Sequence, residues 1–173
     1  MASSDKLSSI GQRVSMGGSS PLPDTKNKKM KTLEVVVDFD GSVVTHEFPH
    51  VGKDIGAAPV LKELVAQGHK LILFTMRCDS SPTQTTRKKN LYLTDAVNWF
   101  KENDIPLYGI QRNPTQGTWT TSPKAHGDII IDDIALGCPT IFNPEFTPKP
   151  YVDWAAVREL LVARGALPAL VEV

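Results

Sequence analysis

Two aspartates stand two residues apart in Asp38-Phe39-Asp40-Gly41-Ser42, directly behind the apolar run Leu33-Glu34-Val35-Val36-Val37. At the end of an extended strand, alternate side chains leave on nearly the same side, so Asp38 and Asp40 face one region. Like charges that close are costly unless a cation or a shared proton offsets them. A hard, oxygen-seeking ion such as Mg²⁺ is the economical partner. Gly41 lets the chain turn sharply behind the pair. Read in isolation, the same stretch fits an ordinary loop, because Asp and Gly are common after strands. Further along come Thr75-Met76-Arg77 behind Leu71-Ile72-Leu73-Phe74, then Lys124, then a second acidic pair, Asp132-Asp133, behind Ile129-Ile130-Ile131.

This set of groups can handle a phosphoryl group. A metal held by carboxylates from two strand ends binds a phosphate oxygen and neutralises its charge. One aspartate can then attack phosphorus and carry the phosphoryl group. A second carboxyl can protonate the leaving oxygen and later activate water. A hydroxyl and a fixed cation steady the transferring group. Asp38, Asp40, Thr75 and Lys124 supply those four functions. Each has a plainer reading alone: Thr75 as a turn hydroxyl, Lys124 as a surface lysine, Arg77 as a surface ion-pair partner. Their convergence is what carries the functional reading.

The elements that must position these groups follow from hydrophobic periodicity. Residues 33–37 read as a strand buried on both faces, too short for a helix and too apolar for an edge. Residues 59–67 form a helix with Pro59 in its first turn, Val60, Leu61, Leu64 and Val65 on one face, and Gly68 as its stop. Residues 71–74 form a second buried strand. Residues 90–102 form a helix with Leu93, Ala96, Val97 and Phe100 on one side. Short strands follow at 107–110 and 128–131, with a candidate fifth at 138–142, and a final helix spans 154–163. Strands alternating with helices predict an α/β fold, a three-layer Rossmann-like parallel sheet with helices on both faces. Ligands of such sheets sit outside the carboxyl ends of the strands, where all the marked polar residues lie.

Residues 1–30 are rich in Ser, Gly, Pro and Lys without a sustained period, and read as a flexible leader ahead of one domain over 31–173. Lys26, Lys28, Lys29 and Lys31 read as a solvated basic cluster, with a phosphate backbone as the alternative contact. Residues 45–56 read as a loop or small flap over the strand ends. Its His46 and His50 are candidate metal ligands or substrate contacts, but read first as solvated, since no Cys or third His stands near to complete a metal set. Residues 78–86 and 111–125 are loops. In the second, and just before it, Tyr108, Arg112 and Trp119 are candidates for reading a leaving group, with a subunit interface as the alternative for Trp119. Zero formal net charge points away from a nucleic-acid or membrane surface as the general partner. No apolar run reaches transmembrane length, and the first residues lack the apolar core of a signal peptide. Cys78 and Cys138 fit neither a disulfide framework nor a zinc motif, which suits a reducing, cytoplasmic setting. No Walker-type GxxxxGK[ST] and no GxGxxG after a strand occurs.

In these motifs the sequence resembles the haloacid dehalogenase-like (HAD) superfamily, whose members are mostly Mg²⁺-dependent phosphohydrolases. VVVDFDGSVV looks like the first motif, an apolar strand followed by DxDGT. LILFTMR looks like the second, Lys124 in SPKAHGD matches the third, and IIIDDIALG looks like the fourth. The resemblance spans about residues 33–142. It implies Asp38 as nucleophile and metal ligand, and Asp40 as general acid/base whose backbone carbonyl also ligates Mg²⁺. It implies Thr75 and Lys124 as phosphoryl ligands, with Lys124 also holding Asp38. Either of Asp132 and Asp133 completes the metal set, with Asp133 favoured. Ser42 stands where the family usually has Thr and keeps the hydroxyl. Ser42, Met76 and Arg77 join Thr75 and Lys124 as substrate contacts, Arg77 by analogy with polynucleotide kinase/phosphatase domains. The short insertions at 45–56 and 78–86 imply a capless or minimally capped site, open to a large substrate or lidded by a neighbouring subunit.

The expected activity is therefore phosphomonoester hydrolysis through an aspartyl-phosphate, on a phosphorylated small metabolite or nucleotide. A polynucleotide end is the second substrate class, drawn by the open site and by Arg77, Arg87, Lys88 and Lys89. The rival from another class is a non-catalytic phosphate- or metal-binding regulatory module. A receiver domain also uses an acidic pair, a Thr and a Lys, but there the acidic pair follows the first strand. Here DxD comes first and DD last, the order of the hydrolase.

Overall fold

The computed structural model describes residues 31–79 and 90–170. The leader at 1–30, the polar run at 80–86 and Arg87, Lys88 and Lys89 lie outside the described residues. Ten elements follow in order: β1 (Glu34–Val37), α1 (Ala57–Ala66), β2 (Lys70–Leu73), α2 (Tyr92–Glu102), β3 (Gly109–Ile110), a 3-10 turn (Gln116–Thr118), β4 (Ile129–Ile131), β5 (Thr140–Ile141), β6 (Tyr151–Val152) and α3 (Trp154–Ala163). β1 to β4 make one parallel sheet in the order β3-β2-β1-β4. The arrangement is α/β and Rossmann-like, as the alternation of strands and helices predicts.

The apolar runs become the central strands because both faces are covered. Val35, Val37, Leu71, Leu73 and Ile131 pack in one cluster with Leu61 and Leu64 of α1, Ala96 and Phe100 of α2, and Trp154, Val157 and Leu161 of α3. Burial of each Val, Leu, Ile or Phe side chain among them contributes about 1.5–3 kcal/mol. The opposite face presents Val36 and Ile72 to Ala125 and Tyr108. Here, among the described residues, the helical contribution is one 3-10 turn, because residues 111–127 carry Pro114, Gly117 and Pro123 and no apolar period. Two buried amides shape this cover. Asn113 donates to Glu34 Oε2 (2.7 Å) and to the His126 carbonyl, and Gln116 donates to the carbonyls of Ser122 and Lys124.

The order β3-β2-β1-β4 has a consequence for the site. The chain builds outward from β1 through β2 to β3, then returns past β1 to place β4 on its other side. Such a reversal leaves a crevice between the two strands that diverge, which is where ligands of open α/β sheets bind. β1 and β4 are in register from Val35↔Ile129 to Val37↔Ile131, so the residues that follow them emerge side by side.

The candidate fifth strand does form, but outside this sheet. β5 pairs antiparallel with β6, Thr140 opposite Val152 and Ile141 opposite Tyr151. The linker between them, residues 142–150, is proline-broken and too short for the crossover that a parallel neighbour requires, so the segment folds back on itself. Asp153 then caps α3, its Oδ1 accepting from the backbone N–H groups of Ala155 and Ala156. Among the described residues no helix is long and apolar enough to cross a membrane.

Candidate metal and phosphoryl site

Carboxylate oxygens of Asp38, Asp132 and Asp133 all lie within 4.8 Å of one another at the β1/β4 crevice. Asp38 follows β1, and its backbone N–H donates to the Ile131 carbonyl (3.0 Å), which locks the start of one acidic stretch to the end of the other strand. Burial, reinforced by the nearby charges of Asp132 and Asp133, pushes the Asp38 carboxyl up to about 6; hydrogen bonds from the Phe39 backbone and the Thr75 hydroxyl oppose the rise. Ser42 Oγ lies 3.3 Å from Asp38 Oδ2 and 3.4 Å from Asp133 Oδ1, and it accepts the Asp133 backbone N–H at 2.9 Å. The buried Ser42 thus ties the two acidic stretches together, a position between carboxylates more than on a substrate.

The donor set suits a hard divalent cation. Three carboxylates crowded at one strand-end crevice, one of them raised by burial and by its neighbours' charge, have the oxygen chemistry that Mg²⁺ prefers. A glycine shapes the cradle. Gly41 has φ +84°, and a Cβ there would fall 2.3 Å from His46 Nε2 and 2.6 Å from Asp133 Oδ2. Gly41→Ala is therefore expected to cost about 2 kcal/mol, from left-handed backbone strain plus displacement of this pair. Gly56 has the same φ of +84° with nothing within 4 Å of its would-be Cβ, so Gly56→Ala carries the strain alone, about 1 kcal/mol. Urea midpoints of the two variants check the difference; equal losses would mean that crowding at Gly41 is immaterial.

Asp40 stands apart from the three. Its Oδ1 and Oδ2 accept from Arg77 Nη2 and Nε, both at 2.7 Å. The same guanidinium donates to the carbonyls of Pro49 (3.3 Å) and His50 (2.7 Å) and lies over the rings of Phe39 and Phe48. Arg77 is 2% exposed. The sequence puts it on a substrate; the structure spends its donors on Asp40 and on the flap. Its neighbours differ. Thr75 turns its hydroxyl to Asp38, while Met76 is 98% exposed beside it.

Lys124 is not brought onto Asp38. It is exposed on the cover of the second sheet face, and among the described residues no carboxylate lies within ion-pair distance of its Nζ. Tyr108 lies on that face beneath Lys70 Nζ (4.3 Å), and Trp119 meets the His126 ring edge-on (5.4 Å). Arg112 is exposed beside Gly117.

Two residues at the site were not legible as such in the sequence. His46 is not a solvated loop histidine: its Nε2 lies 2.8 Å from Asp133 Oδ2. Gln111, at φ 57° behind β3, accepts the Thr75 N–H (2.9 Å) and donates to the carbonyls of Thr75 and Arg77, fixing the turn that carries the Thr75 hydroxyl. The flap that bears His46 is itself pinned at its base, where Thr45 N–H donates to the Lys53 carbonyl and Lys53 N–H to Thr45 Oγ1.

No protein-family model matches the chain, and no curated protein matches it. Among solved structures the chain is similar to a conserved protein from Bacteroides thetaiotaomicron, at 25% identity and a TM-score of 0.58, over 78% of this chain and 93% of that one. The likeness extends over nearly the whole of that protein and supports the Rossmann-like α/β arrangement described above.

Proposed function

We propose that the chain is a Mg²⁺-dependent phosphatase of the HAD kind, hydrolysing a phosphomonoester of a small metabolite or nucleotide through an aspartyl-phosphate on Asp38. The observation that carries the reading is the meeting of Asp38, Asp132 and Asp133 at the β1/β4 crevice with the Thr75 hydroxyl on Asp38. Mg²⁺ held by these carboxylates would neutralise phosphoryl charge and let an anionic nucleophile approach an anionic ester. Asp38 attacks phosphorus, the bond to the leaving oxygen breaks, and water then releases phosphate and regenerates Asp38. Thr75 steadies an equatorial oxygen. Asp40 is the group for proton transfer. Both its oxygens accept from Arg77, so that role requires one of those bonds to be exchanged for one to the leaving oxygen or to water.

Arg77 is fully engaged within the protein, which removes one motive for a polynucleotide end and favours the small substrate. A reducing, cytoplasmic setting belongs to the proposal on a separate ground: Cys78 and Cys138 fit neither a disulfide framework nor a zinc motif. One observation favours a second reading. Among the described residues Lys124 pairs with no carboxylate, Asp38 included, and a site without that cation at the nucleophile could hold metal without turnover. Phosphate release from p-nitrophenyl phosphate, nucleotides, sugar phosphates and 3′- and 5′-phosphorylated oligonucleotides, with and without Mg²⁺, separates the two. Mg²⁺-dependent turnover supports the phosphatase, and the preferred ester names the class. Mg²⁺ binding with no turnover on any of them supports the module.

A further inference from the structure

His46 lies outside the motifs that define the site, yet it reaches the acidic centre from the flap. A carboxylate oxygen only accepts, so the 2.8 Å contact has His46 Nε2 donating to Asp133 Oδ2. Asp133 Oδ1 faces Ser42 Oγ, and the Asp133 backbone N–H is bound to the same hydroxyl. Both oxygens of Asp133 are therefore oriented by neighbours. Asp132, by contrast, is held among the described residues by a local contact, its Oδ1 accepting the Ile134 N–H (3.0 Å). The absence of a side chain at Gly41 makes the room that the His46–Asp133 pair occupies. His46 Nε2 is committed to Asp133, so the histidine acts through that carboxylate.

We propose that His46 is a positioning residue that holds Asp133 in the orientation that binds the divalent cation, and so couples the flap to the metal. The inference rests on the metal reading of the site but not on turnover. Groups that orient a ligating carboxylate typically change metal affinity by about 10–100-fold when removed. The coupling is reciprocal: if His46 tightens the metal, the metal tightens the flap that His46 belongs to.

The test titrates Mn²⁺ into full-length protein by calorimetry and by the electron paramagnetic signal of free Mn²⁺. His46→Ala should weaken binding about 10–100-fold. His46→Gln, whose amide can donate from nearly the same place, should recover most of that. His50→Ala, on the same flap, should bind as wild type. In an Asp133→Ala background, His46→Ala should add little, because its effect passes through Asp133. Hydrogen exchange over residues 45–56 should slow on Mn²⁺ addition in wild type and not in His46→Ala. Equal affinity in wild type and His46→Ala, or full additivity with Asp133→Ala, would overturn the proposal while leaving the phosphatase reading intact. Absence of Mn²⁺ binding in wild type would overturn it together with the metal reading. His46-dependent binding in a protein that hydrolyses no ester would uphold it and remove the phosphatase.

Discussion

Asp38→Asn is expected to abolish turnover and, in metal-free buffer at pH 8, to make the protein more stable. In the proposed reaction the first effect removes the nucleophile, a loss on the order of 10⁴-fold or more in kcat. The second follows from linkage. The Asp38 carboxyl rises from 3.8 to about 6 on folding, chiefly through burial and then through the charges of Asp132 and Asp133. A carboxyl raised in the folded state contributes stability below its unfolded value, and that contribution is lost as pH rises through the folded value. The wild type therefore weakens between about pH 4 and pH 7, by at most about 3 kcal/mol. An uncharged amide has no such loss. Urea unfolding in EDTA at pH 4.5 and pH 8 checks the sign: the advantage of Asn should be larger at pH 8. An equal difference at both pH values would show that the Asp38 carboxyl is not raised on folding. Saturating Mg²⁺ should narrow the gap at pH 8 by stabilising the wild type preferentially.

Arg77→Met is expected to cost about 3–5 kcal/mol of stability, because it strands the Asp40 carboxylate in a site where that side chain is only 15% exposed. It also deletes the donors to the Pro49 and His50 carbonyls, so the flap loses one of its anchors. Against a typical total of about 5–15 kcal/mol, the variant stands near unfolding. Arg77→Met with Asp40→Asn should cost less than the two separate losses together, since the stranded charge is gone. Limited proteolysis over residues 45–56 should speed up in the single variant. A pure substrate contact behaves differently: KM rises while the melting point and flap protection stay put. That outcome would restore the role that the sequence assigns to Arg77.

The strands were legible because burial on both faces writes itself as uninterrupted apolar runs; LEVVV, LILF and III each became a strand of the parallel sheet. Helix ends came within two residues, with Pro59 inside the first turn of α1 and Gly68 just beyond its last. The pairing of β5 with β6 was not legible from the apolar pattern, because linker length rather than side-chain type decides it. The acidic residues that meet were legible from their place behind strands. Their partners were not. A histidine in a polar loop carries no local mark of a carboxylate 87 positions away, and Arg77 carries none of Asp40 at 37. Gln111 follows a short strand like any loop amide, and only the fold sets it under Thr75.

The order β3-β2-β1-β4 also sets a schedule. β1 and β2 can pair as soon as α1 has formed between them, but the crevice stays one-sided until β4 is placed against β1. A nascent or partly unfolded chain thus holds Asp38 without Asp132 and Asp133, and has no concentrated negative pocket for a cation to find. On the proposed metal reading, ion capture would be a sign of completed assembly: it would reward only the chain whose return strand has docked, and leave shorter intermediates untouched.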